Sequence, residues 1–329
     1  MKFRPASEAV ALLNEWSASK TPFLFFVDYE GKRWYAAPLD SLDPRISYRI
    51  PGREGGEAAA ADVPSAKPRP PHRILPPAFE DYSRGFEIVR ESIAAGETRL
   101  VNLTWRVPFE SAFSQRERFR LGREKYMLMV EGLFSVFSPE PFVEIEGGRI
   151  ATFPMKGTIS TSIPNAAAVL LADPKEAREH EDSVSLMRDD LARVADDVKV
   201  VRYRYCETIA DGKIIQTSSE IAGTLKSGLR DRLGDVLHAL LPGGSITGTP
   251  KAATIGVIRR AEAFPRGFYT GVFGVFDGAK LQTSVMIRFL GYGENGEKFF
   301  FGGGGVTADS TPEREYRELL LKADATVLH

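Results

Sequence analysis

A lysine and a glutamate sixteen residues apart are the side chains of this sequence best suited to covalent and proton-transfer chemistry. Lys156 lies between a proline and a glycine-threonine pair in residues 153–158, and Glu140 lies between two prolines. A desolvated lysine loses its proton more easily and becomes a nucleophile, while a buried glutamate keeps its proton to higher pH and can donate it. One hairpin separates them, so adjacent strands could bring both groups to one pocket. The alternative is that Lys156 is an ordinary surface charge.

Paired carboxylates occur on two predicted helices. Glu176 and Glu179 share a face of one helix, and Glu315 and Glu318 share a face of the last, because helical residues three apart are neighbours. Lys322 follows four residues after Glu318. Each pair alone is more typical of a solvated, ion-paired face, and Glu176 alone of a capping box. If the two pairs face one another, their oxygens suit a hard divalent cation, and Mg²⁺ is the natural candidate.

Two glycine-rich segments could bring backbone close to an anion. Residues 302–305 are four consecutive glycines between β-rich flanks, which indicates backbone approaching a ligand rather than a simple turn. Residues 242–251 precede a predicted helix, and their amides, hydroxyls and Lys251 suit a carboxylate. The spacing of a phosphate-binding P-loop is absent. His238 comes just before this segment, and a lone histidine is more often packed or exposed than catalytic.

Composition excludes several classes of function. The 43 Lys and Arg residues nearly balance the 44 Asp and Glu residues, so no basic field predicts nucleic-acid binding. Cys206 is the only cysteine, which rules out a disulfide framework and is expected to be buried filler. The sequence shows no signal-peptide pattern and no apolar stretch of bilayer-spanning length. We therefore expect a cytoplasmic protein without membrane partners, acting on small molecules.

The elements that must position these residues are mostly strands following strands, with helices between the groups. This order predicts an α+β fold rather than a regular parallel βαβ array. A hairpin is predicted over 22–37, at a sheet edge, and further strands over 100–108, 134–137, 142–145, 150–155, 198–205, 213–218, 269–277, 281–291 and 298–301. Helices are predicted from 79 to Gly96 and over about 173–195, 230–240, 252–263 and 311–327.

The predicted domain organisation is one interleaved domain. Residues 1–50 contribute N-terminal strands to the sheet, and residues 78–329 form the catalytic region. Between them, residues 51–77 contain Gly, Ala, Pro and charge with almost no large apolar side chain. We expect this segment to be a long exposed connection.

Several of these segments, in this order, resemble the chorismate-utilising enzymes. This family includes component I of anthranilate synthase and of aminodeoxychorismate synthase, and the isochorismate and salicylate synthases. The resemblance covers most of residues 78–329 and rests on Lys156 to Thr158, Glu179-His180, Arg188 to Leu191, Pro242 to Lys251, Arg266-Gly267, Tyr269, Gly271, Thr283, Ile287-Arg288, Gly303 to Ser310 and Pro312-Glu313.

The family resemblance implies a fold, a metal and a set of site residues. The fold is two large antiparallel β-sheets packed together with flanking helices, with the active site between them. Glu179 and Glu318 would ligate Mg²⁺, with Glu176 and Glu315 close by. Substrate-binding positions by this resemblance are Tyr269, Arg288 and Gly303, Gly304 and Gly305 for the enolpyruvyl carboxylate, and Gly157, Thr158, Thr247 and Lys322 around the ring carboxylate. His238 and Thr283 also match active-site positions.

Within the family, the residue at position 156 separates the reactions. Anthranilate synthases have alanine there, whereas Lys156 resembles the lysine of aminodeoxychorismate synthases. By that resemblance Lys156 attacks C2 of chorismate while the C4 hydroxyl departs with help from Glu140 and Mg²⁺. Ammonia then adds at C4 and expels the lysine, which gives 4-amino-4-deoxychorismate for p-aminobenzoate and folate synthesis. A separate glutamine amidotransferase subunit supplies the ammonia in such relatives.

Departures from the family pattern bear on the reaction. Leu100 stands where the family has Gln, or Lys in water-adding members, and leucine cannot be a base, which counts against isochorismate or salicylate synthesis. Ser185, Asp189 and Gln282 replace the usual Asp, Asn and Asp. Two alternatives stay open: an anthranilate synthase component I, and a non-catalytic binding or scaffold protein of the same fold.

Overall fold

The computed structural model describes residues 1–59, 72–209 and 212–327. They form two large antiparallel β-sheets with helices packed against them, which confirms the predicted α+β architecture. The helices are α1 (Ala6–Ala18), α2 (Phe79–Ala94), α3 (Gln115–Leu121), α4 (Ala166–Ala172), α5 (Pro174–Ala192), α6 (Leu233–Leu240), α7 (Lys251–Ala261) and α8 (Pro312–Val327). In the described part of the chain, no helix has both the length and the apolarity to cross a bilayer.

The strands fall into two groups that alternate along the chain. They are β1 (Phe23–Val27), β2 (Trp34–Pro38), β3 (Ile46–Ile50), β4 (Arg53–Gly55), β5 (His72–Ile74), β6 (Leu100–Ser111), β7 (Tyr126–Val130), β8 (Phe134–Ser138), β9 (Pro141–Glu146), β10 (Arg149–Thr152), β11 (Met155–Ser160), β12 (Ala195–Ile209), β13 (Ile214–Leu225), β14 (Gly248–Thr249), β15 (Val272–Phe276), β16 (Lys280–Val285), β17 (Phe289–Tyr292) and β18 (Lys298–Val306). The first sheet has the order β11-β13-β10-β9-β16-β15-β1-β2, with β12 beside β13. The second has the order β14-β6-β18-β17-β8-β7-β3-β4, with β5 beside β6.

Strand β1, next to the edge strand β2 of the first sheet, shows why the two sheets pack together. Its five residues are all buried, and successive side chains of a strand point to opposite faces. Phe25 belongs to one apolar core together with Leu103 of the second sheet, while Phe26 belongs to another and meets the ring of Phe134 at 5.5 Å. Because both cores draw side chains from both sheets, burial of apolar surface holds the two layers together.

One predicted strand turns out to be two strands in different sheets. The apolar pattern of residues 281–291 predicts a single strand, but β16 pairs with β15 and β9 in the first sheet, and β17 pairs with β18 and β8 in the second. Residues 286–288 make the crossing, and Arg288 has a φ of 48° there. Both halves are apolar, so periodicity alone could not locate the change of sheet.

The N-terminal part contains more than the predicted strands. Residues 1–50 also form α1, whose buried Ala9 and Leu13 are spaced by four, a helical signal that the sequence reading missed. The predicted connection over 51–77 carries the short strands β4 and β5 at its ends, and residues 60–71 lie outside the described residues. Cys206, expected to be buried, is half-buried on β12.

A buried ion pair joins the glycine-rich segment 242–251 to the second sheet. Arg266 and Glu262 are 2% and 3% exposed, and their side chains meet at 2.6 Å. Arg266 also donates to the carbonyl of Ile246 at 2.7 Å and to that of Asn102 on β6, and it lies over the ring of Tyr29 at 4.5 Å. The guanidinium therefore positions three segments around one point.

We expect Arg266→Met to lower the free energy of unfolding by about 3–5 kcal/mol, because it leaves the Glu262 carboxylate buried without its partner. Urea denaturation measures the change. The matched control is Arg260→Met in the exposed pair of Arg260 with Glu97, for which a change below about 1 kcal/mol is expected. Equal losses in the two variants would contradict a special role for the buried pair.

Candidate active site

Lys156 lies on β11 beside a β-bulge. In the pairing of β11 with β13, Lys156 is opposite Thr217 and Thr158 is opposite Gln216, so Gly157 is the extra residue. Gly157 has a φ of 74°, in the left-handed region that glycine adopts without strain. A bulge changes the direction of neighbouring side chains, and this one sets the direction of Lys156.

Gly157 also has little room for a side chain. A Cβ atom there would lie 2.8 Å from Oε2 of Glu176 and 3.1 Å from Cδ1 of Leu170. Helix α5 therefore packs directly against the bulge, and the carboxylate of its residue Glu176 lies beside Gly157. The packing of α5 against the bulge therefore requires glycine at position 157, in addition to the substrate-binding role predicted for Gly157.

We expect Gly157→Ala to reduce turnover of the chorismate substrate that the family resemblance implies by about tenfold or more, because the new methyl group displaces Glu176 and strains the bulge. The left-handed conformation itself costs about 1–2 kcal/mol of stability. Gly96→Ala is the matched control, since Gly96 has the same φ of 74° and no heavy atom within 4 Å. Similar unfolding free energies in the two variants, with activity lost only in Gly157→Ala, would show that displacement of Glu176 and not backbone strain lowers the activity. Full activity in both variants would contradict this prediction.

Titratable groups of α5 and of the segment before β9 lie near the amine of Lys156. Among the described residues its nitrogen has no hydrogen-bond or ion-pair partner. Its charge acts to lower the pKa of Glu140 before β9 and of Glu176 on α5. Burial, then Arg204, then Lys156 lower the pKa of His180 to about 4, so that ring is neutral at pH 7. Lys156 therefore lies in a shared site rather than as an isolated surface charge.

Glu140 is the acid of this site. Burial raises its pKa above the ordinary value, against the opposing influence of Lys156 and of a hydrogen bond from Ser245. Oγ of Ser245 is 3.2 Å from Oε1, and Oγ of Ser284 donates to the Glu140 carbonyl at 2.7 Å. A carboxyl group held in this way keeps its proton toward neutral pH and can act as a general acid.

The four predicted metal ligands lie as two pairs on two helices. Burial and the charge of Glu179 raise the pKa of Glu176, while burial and the charge of Glu318 raise that of Glu315. Lys175 pairs with Glu179 at 3.2 Å and also helps to lower the pKa of Glu318, so α5 and α8 face a common space. Asp173, not Glu176, caps α5 by accepting from two backbone amides.

These carboxylates suit a divalent cation because hard cations prefer oxygen ligands. A cation would also relieve the repulsion between the two like charges of each pair. The described residues contain no group of three or more His, Cys, Asp or Glu side chains close enough to hold a metal ion. Glu318 instead pairs with Lys322 at 2.8 Å, and Lys322 donates to the Gly303 carbonyl at 3.0 Å. The Mg²⁺ site thus stays a prediction, in which Glu179 and Glu318 exchange their lysine partners for the ion.

The four consecutive glycines lie within β18 opposite residues 102–105 of β6. A Cβ atom on Gly303 would lie 2.5 Å from the carbonyl oxygen of Leu103, and one on Gly304 would lie 2.8 Å from Oε2 of Glu315. Strand β17 pairs with β18 only as far as Phe301, so within the described residues the following edge has no partner strand. This edge leaves backbone groups facing the site, as the predicted carboxylate-binding role of Gly303, Gly304 and Gly305 requires.

Two further predicted binding residues flank this edge. Tyr269 is buried, its pKa is raised by burial, and its ring is 5.6 Å from that of Phe301. Arg288 is exposed, and its guanidinium has no hydrogen-bond or ion-pair partner among the residues that the structure describes. An unpaired guanidinium suits recognition of a carboxylate.

The remaining predicted residues have other surroundings. The hydroxyl of Thr247 donates to the Gly243 carbonyl at 2.8 Å and lies 3.3 Å from Tyr29. Oγ1 of Thr283 donates to the Val143 carbonyl at 2.7 Å and accepts from the Val143 amide at 2.9 Å, so it is committed to its own sheet. Thr158 on β11 is exposed.

His238 is exposed on α6, whose first turn packs against α1, where Gly234 approaches Val10. Among the described residues, no hydrogen bond or ion pair joins His238 to Lys156 or Glu140. The active-site role that the family resemblance implies for His238 stays a prediction.

The carboxylate bound by the glycine-rich segment 242–251 belongs to the protein itself. Asp190 of α5 accepts from the Gly244 amide at 3.1 Å and from Nζ of Lys251 at 2.6 Å. Lys251, which the sequence suggested for a ligand carboxylate, thus joins α5 to this segment and positions Ser245 beside Glu140. Sequence reasoning missed Ser245 because a serine in a glycine-rich loop gives no distinct signal.

Comparison with known proteins gives a consistent family. A model of the chorismate binding enzymes matches residues 11–327. The chain is 40% identical over 313 residues to a protein of Haemophilus influenzae named "Uncharacterized PabA-like protein", covering 94% of this chain and 93% of that protein. It is 33% identical over 285 residues to aminodeoxychorismate synthase component 1 of Bacillus subtilis, covering 82% of this chain and 60% of that enzyme.

Anthranilate and isochorismate synthases are also similar. Identity to anthranilate synthase component 1 of Pseudomonas aeruginosa is 31% over 304 residues, covering 88% of this chain and 60% of that enzyme. The solved menaquinone-specific isochorismate synthase of Escherichia coli has a TM-score of 0.77 at 18% identity, covering all of this chain and 83% of that one, and this likeness concerns the fold. With the family model matching nearly the whole sequence, the chain belongs to the chorismate-binding enzymes.

Proposed function

We propose that this protein is component I of an aminodeoxychorismate synthase, with Lys156 as a covalent nucleophile. The observation that carries the proposal is an amine without a partner among the described residues, placed close enough to the Glu140 carboxyl to influence its pKa. The sequence similarity to aminodeoxychorismate synthases supports it as well. Leu100 adds further support, since its side chain lies 3.7 Å from the Cβ position of Gly305 and cannot act as a base for water.

The first step joins Lys156 to the ring. The Lys156 amine, once it has given up its ammonium proton to solvent, forms a bond to C2 of chorismate, the electron pairs of two ring double bonds shift toward C4, and the C4–O bond breaks. Glu140 gives its proton to the departing oxygen, so water leaves and the carboxyl becomes a carboxylate. The raised pKa of Glu140 suits this role, because the group begins protonated.

The second step releases the enzyme. Ammonia forms a bond to C4, the electron pairs shift back, and the bond between C2 and the Lys156 nitrogen breaks. The extra proton on the incoming nitrogen returns to Glu140, which restores both groups. A covalent lysine adduct occupies C2 and directs ammonia to C4, so the product is 4-amino-4-deoxychorismate rather than anthranilate.

Binding groups would orient the substrate for both steps. Arg288 and the open edge of Gly303 to Gly305 hold the enolpyruvyl carboxylate, with Tyr269 beside them. Mg²⁺, when held by Glu179 and Glu318, supplies positive charge for the ring carboxylate. Glu176 and Glu315 would lie close to the ion that Glu179 and Glu318 hold. A separate glutamine amidotransferase subunit would supply ammonia to this pocket.

Product analysis tests the proposal. The protein is incubated with chorismate, ammonium and Mg²⁺, and the products are identified by mass spectrometry, with an added lyase converting aminodeoxychorismate to p-aminobenzoate. We expect aminodeoxychorismate, with no product after EDTA treatment. With glutamine in place of ammonium, turnover is expected only after a glutaminase subunit is added.

Other outcomes would refute the proposal. Fluorescent anthranilate as the main product would identify an anthranilate synthase instead. Absence of any chorismate conversion with ammonium, Mg²⁺ and the glutaminase subunit would favour a binding or scaffold protein.

A further inference from the structure

We infer that His180 and Thr217 are positioning residues for Lys156, acting through a buried hydrogen-bond chain that ends on the Lys156 carbonyl. The hydrogen bonds run from Arg204 on β12 to Ser219 on β13, and from there to His180 on α5. They continue to Thr217 on β13 and end on the Lys156 carbonyl at the bulge on β11. The inference rests on the proposed function of Lys156 as the nucleophile.

The direction of each hydrogen bond follows from the Lys156 carbonyl, which can only accept. The Thr217 hydroxyl donates its one hydrogen to this carbonyl. Oγ1 of Thr217 therefore accepts from Nδ1 of His180, 3.4 Å away, so the ring carries its hydrogen on Nδ1. Nε2 then accepts from the Ser219 hydroxyl at 2.7 Å, and Oγ of Ser219 accepts from the Arg204 amide at 2.8 Å.

The three side chains that link Arg204 to Lys156 in this hydrogen-bond network are fully buried. Ser219, Thr217 and His180 are 0% exposed. A buried polar group that loses its partner cannot exchange it for water, so each link is costly to break. The network is therefore suited to holding one backbone geometry.

The last link acts at the residue that matters for chemistry. Thr217 is directly opposite Lys156 in the register, and the bulge at Gly157 follows at once. A bulge locally disrupts the regular backbone ladder, so the Thr217 hydroxyl supplies a restraint on the Lys156 peptide. Without that restraint the peptide can rotate and displace the amine, and a misplacement of about 1 Å can cost about 100-fold in rate.

Two substitutions at one position separate positioning from packing. Thr217→Val removes the hydroxyl and keeps the shape, whereas Thr217→Ser keeps the hydroxyl. We expect kcat to fall about tenfold in Thr217→Val with KM changed less than about twofold, and to be retained in Thr217→Ser. The same kcat in Thr217→Val as in the wild type, or an equal loss in Thr217→Ser, would overturn the inference.

A second measurement does not depend on turnover. Trinitrobenzenesulfonate labelling with peptide mass mapping gives the rate at Lys156 relative to exposed Lys199 in the same molecule. We expect this ratio to change several-fold in Thr217→Val and not in Thr217→Ser. A changed ratio in a protein that makes no aminodeoxychorismate would contradict the proposed function and leave the positioning intact; an unchanged ratio would overturn the positioning.

The wild-type protein itself supplies a third test. Long-range ¹⁵N–¹H correlation spectra report which nitrogen of each histidine ring carries hydrogen, and the sequence has four histidines. The hydrogen-bond network requires the hydrogen of the His180 ring on Nδ1, and a ring with its hydrogen on Nε2 would overturn the inference. If Thr217→Val does not fold, Ser219→Ala takes its place, since it removes the donor to Nε2; the same loss in kcat is expected, and wild-type kcat would overturn the inference.

Discussion

Lys156→Ala is expected to lower the rate of aminodeoxychorismate formation by about 1,000-fold or more, because the nucleophile is lost while the binding groups remain. Stability should change little, since the amine has no hydrogen-bond or ion-pair partner among the described residues. The measurement is kcat/KM with chorismate, ammonium and Mg²⁺. In a parallel experiment without ammonia, the wild type should gain the mass of chorismate less one water, and the variant should not.

The matched control is Lys199→Ala. Lys199 is exposed on β12 of the same sheet, and its removal should leave both the rate and the mass shift unchanged. An active Lys156→Ala variant with the wild-type product would rule out the covalent route. Anthranilate from the variant would instead support the view that the lysine adduct directs ammonia to C4.

Glu140→Gln is expected to lower kcat by about 100- to 1,000-fold, because an amide cannot give a proton to the departing C4 oxygen. In the wild type, activity should fall on the alkaline side as Glu140 loses its proton at its raised pKa. This limb of the pH profile should be absent from the residual activity of the variant. Steady-state rates across pH measure both effects.

The Glu140→Gln substitution should lower kcat but should not lower the free energy of unfolding. Burial raises the pKa of Glu140 in the folded protein, so the folded state binds the proton more tightly than the unfolded state. Unfolding free energy therefore falls as pH rises from the unfolded pKa through the folded one, and the cost persists above it. Glutamine has no such cost, so Glu140→Gln should be at least as stable as the wild type at neutral pH.

The control for this pair of effects is Glu146→Gln, at an exposed position near the other end of β9. It should alter neither the alkaline limb nor the stability. A Glu140→Gln variant that keeps the wild-type alkaline limb would assign that limb to another group and contradict the role of Glu140 as the acid.

Local patterns in the sequence were sufficient for the elements that have strong local signals. The stripe of α2, the start of α5 at Pro174 and the last helix α8 follow from spacing and end signals, and the structure has them. The proximity of Glu140 and Lys156 followed from the hairpin of β9 and β10. Local sequence determines these features because the interacting residues are close along the chain.

Features that depend on distant pairing could not be foreseen. The four glycines belong to a strand because β6 pairs with them, and glycine has no strand propensity of its own to indicate this. Asp190 binds Lys251, and Thr217 binds the Lys156 carbonyl, only because helix α5 and strand β13 pack there.

The crossing at residues 286–288 has a consequence for how this enzyme could evolve. Lys156 lies on β11 of the first sheet, and Glu140 lies just before β9 of that sheet. The four consecutive glycines lie in β18 of the second sheet, against which α8 packs. Strands of both layers alternate along the gene, so no single cut yields a fragment with half a pocket. Recombination between homologues would mix incompatible layers unless the breakpoints spared every strand pair. New reaction specificities are therefore expected to arise by point substitutions inside the cleft rather than by exchange of modules.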